Sequence, residues 1–166
     1  RRRCACRARS DRRPRPWPPY ELPLHDLPPH AVPPVTRVAI VTGSGSGIGA
    51  AIAVELARRG WSVLINYARN RETAEQVQKR CPDSLLLQAD AGEDADCRRM
   101  AQAALDRWGR IDALVNNAGT TKSVTHSDLE GLTADDFLRI YRLNVVGPFQ
   151  MTRACAPARS EEHTSE

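Results

Sequence analysis

Blocks of apolar and polar positions alternate along the middle of the chain and predict a repeated strand–helix order. Short apolar runs are typical of strands buried on both faces, and the segments between them have the spacing of amphipathic helices. Strands that alternate with helices of this length form right-handed crossovers, so the pattern predicts an α/β fold with a parallel sheet. The predicted strands are residues 38–42, 62–66, 85–88 and 113–116, and the predicted helices between them are residues 49–59, 70–80 and 94–108.

A longer helix is predicted after the fourth strand. Thr133, followed by Asp135 and Asp136, has the pattern of an N-cap with first-turn acids, and apolar positions continue at helical spacing to Met151. Pro148 interrupts this helix, because it has no N–H for the carbonyl four residues earlier. We therefore expect a kink with a free carbonyl at position 144, the alternative being a merely structural kink.

A glycine-rich turn joins the first strand to the first helix. Residues 42–49 read Thr-Gly-Ser-Gly-Ser-Gly-Ile-Gly. Glycines allow positive φ and close approach of the backbone, and the N–H groups at a helix start attract an anion. The turn predicts a phosphate site for a nucleotide cofactor, although such turns also serve strand-to-helix packing alone.

A second motif follows the fourth strand, where residues 114–119 read Leu-Val-Asn-Asn-Ala-Gly. The pair, Thr-Gly-x-x-x-Gly-x-Gly and then strand-Asn-Asn-Ala-Gly, resembles the classical short-chain dehydrogenase/reductase family, with 3-oxoacyl-carrier-protein reductase-like members the nearest in pattern. The resemblance covers residues 37–158 and makes Gly43, Gly47 and Gly49 the motif glycines. It implies a Rossmann-type doubly wound parallel sheet of order 3-2-1-4, truncated after the fourth strand and the following long helix.

The resemblance also implies a set of site residues. Asp90 matches the family aspartate that accepts from the adenine amino group, and the carbonyl of Asn144 matches the one that holds a water in the proton relay. Asn116 is expected to tie the central strands together, while Asp112, Lys122 and His126 are interpreted as structural or loop residues. The implied cofactor-binding residues are Gly43, Ser44, Ser46, Gly47, Ile48, Gly49, Asn66, Tyr67, Arg69, Asp90, Ala91, Asn117, Ala118 and Gly119.

The end of the second strand indicates which cofactor is preferred. Folds that use NAD carry an acidic residue there, about 20 positions past the glycine turn, for the ribose 2′-hydroxyl. Here no acid occurs between Asn66 and Glu72, so NADP(H) is favoured over NAD(H). Arg69 is a candidate partner of the 2′-phosphate, the alternative being a solvated surface arginine.

The family's catalytic serine and Tyr-x-x-x-Lys are absent from the sequence. Without that tyrosine the transfer of a proton to the substrate oxygen has no general acid, so we expect this polypeptide to be inactive. The parent protein is interpreted as an NADP(H)-dependent oxidoreductase that transfers hydride between nicotinamide and a carbonyl or secondary alcohol. The alternative is a non-catalytic dinucleotide-binding protein on the same scaffold.

The two ends differ in composition from the middle. Residues 1–36 hold nine of the twelve prolines and eight arginines, and they are predicted to be a disordered, non-native flank. Alternatives for this flank are a nucleic-acid arm, a ligand for proline-reading modules and a transit peptide. Residues 159–166 match a translated sequencing adapter and are interpreted as a scar, the alternative being a natural polar tail.

Charge and cysteines limit the partners. The net charge of +4 lies mainly in the arginine-rich flank, so the middle is nearly neutral and its partners are predicted to be small molecules rather than nucleic acid or membrane. The five cysteines show neither a disulfide framework nor metal-ligand spacing. Cytoplasm is the expected compartment, and the family resemblance implies a dimer or tetramer for the parent.

Overall fold

All four predicted strands and the helices between them are present in the computed structural model, which describes residues 36–160. The predicted flank up to residue 35 and residues 161–166 of the predicted scar lie outside the described residues. The strands are β1 (Val38–Val41), β2 (Ser62–Tyr67), β3 (Ser84–Gln88) and β4 (Ala113–Val115). The helices are α1 (Gly47–Arg58), α2 (Arg71–Gln78), α3 (Asp94–Trp108), α4 (Ala134–Tyr141) and α5 (Gly147–Ser160), with a π-helical turn (Arg142–Val146) between the last two.

The strands form one parallel sheet in the order β3-β2-β1-β4, as predicted. In this register Val38 of β1 lies beside Ser62 of β2, and Ala39 lies beside Ala113 of β4. The carboxyl ends of parallel strands share one edge of the sheet, so the loops that follow β1, β2, β3 and β4 meet there. This edge is where an open α/β sheet binds its ligands.

Both faces of the sheet are covered by helices. On one face Ile40 and Leu64 are fully buried in a cluster with Met100 of α3 and Met151 of α5. The opposite face packs against α1 and α2 through a second cluster that includes Ile65. Complete burial of an Ile, Leu or Met side chain stabilises the folded state by about 1.5–3 kcal/mol. The central strands are therefore firmly held and fix the loops at their ends.

The cysteines between residues 36 and 160 belong to this core. Cys81, Cys97 and Cys155 are all buried. Burial, with the nearby carboxylate of Asp94, raises the pKa of Cys97 to about 11. Because the thiolate is the reactive form of cysteine, this side chain acts as a small apolar core residue at neutral pH.

The predicted long helix is interrupted by the π-helical turn instead of a simple kink. The N–H of Gly147 donates to the carbonyl of Arg142, five residues back, so the turn holds one extra residue. Pro148 has no N–H to continue the ordinary register at Asn144. Beyond the turn α5 runs to Ser160, two residues past the predicted domain boundary. None of the helices between residues 36 and 160 is long and apolar enough to cross a membrane.

Candidate dinucleotide-binding site

The turn after β1 has the backbone shape that its glycines allow. Gly43 has φ of 63° and Gly47 has φ of 57°, values that residues with a Cβ rarely adopt. Ser44 is fully buried, and its Oγ donates to the carbonyl of Val41 at 2.6 Å and accepts from the N–H of Asn66 at 3.0 Å. Ser44 therefore has an observed role inside the turn, while its predicted role as a cofactor contact stays a prediction.

The amino end of α1 is open toward the sheet edge. Ser46 is the N-cap residue but makes no side-chain cap, and no acid occupies the first turn. By contrast, side chains cap α2 and α4, and α2, α3 and α4 each carry first-turn acids. The first N–H groups of α1 and its positive dipole end are therefore uncompensated by protein side chains, which suits an anionic ligand.

Asn117 packs directly against this turn. Its Nδ2 donates to the carbonyl of Thr42 at 2.9 Å and to that of Gly43 at 3.3 Å. A Cβ on Gly49 would lie 2.4 Å from that Nδ2, so only glycine fits at this position. The sequence prediction that Asn116 ties the central strands together is wrong, because Asn116 is exposed and Asn117 makes the link.

Thr42 joins the two motifs and was missing from the predicted site residues. Its side chain is buried, and its hydroxyl accepts from the N–H groups of Asn117 and Ala118, both at 3.0 Å. The same hydroxyl donates to the carbonyl of Val115 at 3.3 Å. The signal was available in the sequence, since Thr42 is the first residue of the glycine motif, but its partners lie more than 70 positions away.

Asn66 and Tyr67 support the site from the end of β2. The Oδ1 of Asn66 accepts from the N–H of Gly43 at 2.9 Å, and its Nδ2 donates to the carbonyl of Ala89 at 2.9 Å. Tyr67 is buried, and its carbonyl accepts from the N–H of Ala89. Their described contacts fasten the turn after β1 to the end of β3, and the predicted cofactor contacts of both residues stay predictions.

A cleft of about 270 Å³ opens above these groups. It brings together most of the predicted residues from the loops after β1, β3 and β4, and it adds two that were not predicted, Ala68 and Leu143. Ile48 lies at the open end of α1 and is 77% exposed. The predicted residues that line the cleft are Gly43, Ser46, Asn66, Asp90, Ala91, Asn117, Ala118 and Gly119.

A neighbouring cavity of about 520 Å³ is rich in arginine. Arg69, Arg139 and Arg142 line it together with Asp90, which also lines the cleft. Arg139 donates to the hydroxyl of Thr120 at 3.3 Å. The two cavities are therefore neighbours that share Asp90 in their lining, and the three arginines of the larger one outnumber its two acids, Asp90 and Asp135.

Asp90 is held in place at the boundary of the two cavities. Its N–H donates to the Oδ2 of Asp96 at 2.7 Å, and its own Oδ1 accepts from the N–H of Gly92 at 2.9 Å. The hydrogen bonds that Asp96 accepts from Arg99 and from Asp90 lower the pKa of that carboxyl. Asp96 therefore stays charged at neutral pH and fixes the loop that presents Asp90.

Asn144 lies in the π-helical turn and grips the loop after β4. Its Oδ1 accepts from the N–H of Thr120 at 2.8 Å, and its Nδ2 donates to the carbonyl of Thr120 at 2.9 Å. Sequence reasoning assigned a role to the carbonyl of Asn144 and missed this pairing by the side chain. The contact fixes the residue that directly follows Gly119 of the cleft.

Lys122 has a partner that the sequence did not reveal. Its Nζ donates to the Oδ2 of Asp136 at 2.6 Å, and Asp136 also completes a capping box with Thr133. The Lys122 ammonium, together with the N–H and hydroxyl of Thr133, holds the pKa of Asp136 well below its ordinary value. His126 lines a separate cavity formed by the loop before α4.

Asp112 has the structural role that was predicted for it. Its Oδ2 accepts from the N–H of Val38 at 2.7 Å, and Arg110 pairs with its carboxylate. This contact lies at the start of β1 and β4, on the side of the sheet away from the cleft. It therefore sets the strand register without touching the candidate site.

Comparison with known proteins decides the family. Residues 37–165 match the family described as short chain dehydrogenase. The chain belongs to the short-chain dehydrogenase family. Members of this family use nicotinamide dinucleotides, NAD(H) or NADP(H), and act on small molecules.

Several relatives of this short-chain dehydrogenase chain are named reductases. "Granaticin polyketide synthase putative ketoacyl reductase 2" of Streptomyces violaceoruber is 44% identical over 75% of this chain and 50% of its own length. YusS of Bacillus subtilis, a short-chain dehydrogenase/reductase homologue, is 41% identical over 61% of this chain and 96% of its own length. The chain spans about half the length of most of the curated relatives it matches.

The solved structures agree with this assignment. A 3-ketoacyl-(acyl-carrier-protein) reductase from Brucella melitensis, crystallised with NADH, is 35% identical with a TM-score of 0.70. That match covers 77% of this chain and 52% of the other. The fold of the short-chain dehydrogenases is therefore present here up to the helix that follows β4.

Replacing Thr42 tests the link between the motifs. We expect Thr42→Val to lower the free energy of unfolding by about 1–3 kcal/mol, because the N–H of Ala118 loses its acceptor and that of Asn117 keeps only the carbonyl of Val115, while the side-chain volume is kept. Thr42→Ser, which keeps the hydroxyl, should stay within about 1 kcal/mol of the wild type. Urea unfolding measures both variants, and equal stability of Thr42→Val and wild type would contradict the role of the hydroxyl.

The capping box predicts a pH dependence. Since the folded-state pKa of Asp136 is lowered, its contribution to stability is present above the unfolded-state value of about 4 and declines as pH falls below it. Asp136→Asn should therefore be less stable than wild type at pH 7, with the difference shrinking progressively below about pH 4. Urea midpoints between pH 7 and pH 3 measure this, with Asp135→Asn as the control. A difference that is the same at every pH would contradict the assignment.

Proposed function

We propose that the chain is the dinucleotide-binding half of an NADP(H)-dependent oxidoreductase. In the whole protein, hydride passes between the nicotinamide and the carbon of a carbonyl or secondary alcohol. The observation that carries this proposal is the junction at Thr42, where one hydroxyl joins the glycine turn to the Asn-Asn-Ala-Gly motif beside an uncapped helix start. Such a junction needs both motifs at once, so it is more specific than a glycine-rich turn alone.

The residues present fit a dinucleotide. Gly49 leaves no room for a Cβ, and the N–H groups of the first turn of α1 are open to a pyrophosphate. Asp90 presents a carboxylate at the cleft for the adenine amino group, and Asn117, Ala118 and Gly119 line the cleft for a ribose. When bound, the nicotinamide dinucleotide supplies or accepts the hydride.

The preference for NADP(H) rests on charge at the end of β2. Arg69 lies at the cavity next to the cleft, where a 2′-phosphate on the adenosine ribose would extend. Arg139 and Arg142 line the same cavity and add positive charge to it. An NAD-type acid at the end of β2 would repel the phosphate, and none is present before Glu72.

The chain by itself is proposed to bind without turnover. Asn144 contributes its main-chain carbonyl to hold a relay water, with its side chain anchored on Thr120. The tyrosine and lysine that would move the proton are absent from the sequence. The names of the ketoacyl reductase relatives favour a ketone substrate, and the whole protein is proposed to be a dimer or tetramer.

A second candidate is a dinucleotide-binding protein without catalysis. The observation that favours it is the match with YusS, which extends over 96% of that relative. That relative is therefore about as short as the matched segment, so the motif-bearing half can exist as a separate chain. Ketone-dependent oxidation of NADPH by the whole protein would exclude this candidate.

Arg69 provides a test of cofactor preference. We expect the chain to bind NADPH more tightly than NADH, and Arg69→Gln to weaken NADPH binding about five- to tenfold with NADH unchanged, because only the 2′-phosphate contact is lost. Titration by nicotinamide fluorescence measures both constants. The matched control is Arg71→Gln, since Arg71 is an exposed arginine nearby that pairs with Glu75. Equal loss for both cofactors would contradict the assignment to the 2′-phosphate.

A further inference from the structure

The π-helical turn contacts two loops of the candidate site at the same time. From its first residue, Arg142 donates through Nε to the carbonyl of Gly92 at 3.2 Å, and its guanidinium pairs with Glu93. From its middle, Asn144 holds both backbone groups of Thr120. The turn thus connects the loop after β3 with the loop after β4.

The turn also sits closely against the loop after β3 on its other side. Gly147 is buried just past the turn, and a Cβ there would lie 2.6 Å from the carbonyl of Ala91. Asn144 is therefore flanked by two contacts to the same loop, one through Arg142 and one through Gly147. A movement of that loop therefore changes the position of Asn144, unless the π-helical turn itself deforms.

The backbone of Gly92 links the turn to Asp90. Its N–H donates to the Oδ1 of Asp90, and its carbonyl accepts from Arg142. A continuous series of contacts therefore runs from the carboxylate of Asp90 through Gly92 and Arg142 to Asn144 and Thr120. Glu93 adds an ion pair to the same series.

We infer that Arg142 is a positioning residue. It couples binding of an adenine nucleotide at Asp90 to the hydrogen bonds between the Asn144 side chain and the backbone of Thr120. This rests on the proposed function, because Asp90 must receive the adenine. A nucleotide that restrains Asp90 also restrains Gly92, and Arg142 transmits that restraint to the turn. Binding of the cofactor then strengthens the contact of the relay residue with Thr120, which is a coupling between two positions of one site.

Hydrogen exchange at the N–H of Thr120 reports this contact directly, because that N–H donates its hydrogen bond to the Oδ1 of Asn144. In the 166-residue chain we expect saturating 5′-AMP to slow this exchange about fivefold, the lower end of typical coupling. In Arg142→Ala, 5′-AMP should still bind, with its affinity lowered about two- to fivefold because the half-exposed ion pair with Glu93 is lost. In this variant 5′-AMP should no longer slow hydrogen exchange at Thr120. Arg142→Lys, which keeps a donor and a charge, should restore at least part of the slowing.

Controls separate this coupling from a general loss of structure. Exchange at Leu64 in the centre of the sheet should be the same in wild type and Arg142→Ala. Arg98→Ala, which removes an exposed arginine paired with Asp94 on α3, should leave the slowing at Thr120 intact. A Thr120 response to 5′-AMP that is equal in wild type and Arg142→Ala would overturn the inference. Binding of 5′-AMP to wild type without any response at Thr120 would overturn it while leaving the proposed function standing, whereas absence of binding would contradict both.

Discussion

The hydroxyl of Thr42 is the interaction on which the candidate site depends. It accepts two N–H groups from the loop after β4 while its own backbone begins the turn into α1. Both acceptor positions of one buried hydroxyl are thus used to hold together two motifs that are more than 70 residues apart. Without this hydroxyl the N–H of Ala118 would lose its acceptor, and a partly buried donor without an acceptor is unfavourable, so the arrangement is specific.

The parallel sheet places this junction at a useful edge. All four strands end at the same edge of the sheet. Short loops are therefore enough to bring together the proposed phosphate-binding turn, the carboxylate after β3 and the amide-rich loop after β4. The core below is buried on both faces, which leaves little freedom for the strand ends. The rigid sheet and the glycine-dependent close approach of Gly49 to Asn117 together shape the cleft.

Local patterns allowed most of the fold to be predicted, and contacts between distant residues account for what was missed. Helix α3 was predicted with its observed bounds because Gly109 ends it in the left-handed conformation, with φ of 74°. The sheet order followed from the family resemblance. The prediction that Asn116 rather than Asn117 ties the central strands together was wrong. Which asparagine does so depends on where β4 ends and which side chain then faces Thr42. The π-helical turn and the pairing of Lys122 with Asp136 depend on packing that no local spacing encodes.

The most direct test of the account is the response of backbone amide resonances to NADP⁺ in the 166-residue chain. If the junction of the two motifs forms a dinucleotide site, the amides of Gly47, Ile48 and Gly49 and those of Asn117, Ala118 and Gly119 shift together with one dissociation constant. Titration with NADP⁺ would contradict the account if these two groups stay unchanged, or if the shifts are confined to the loop before α4.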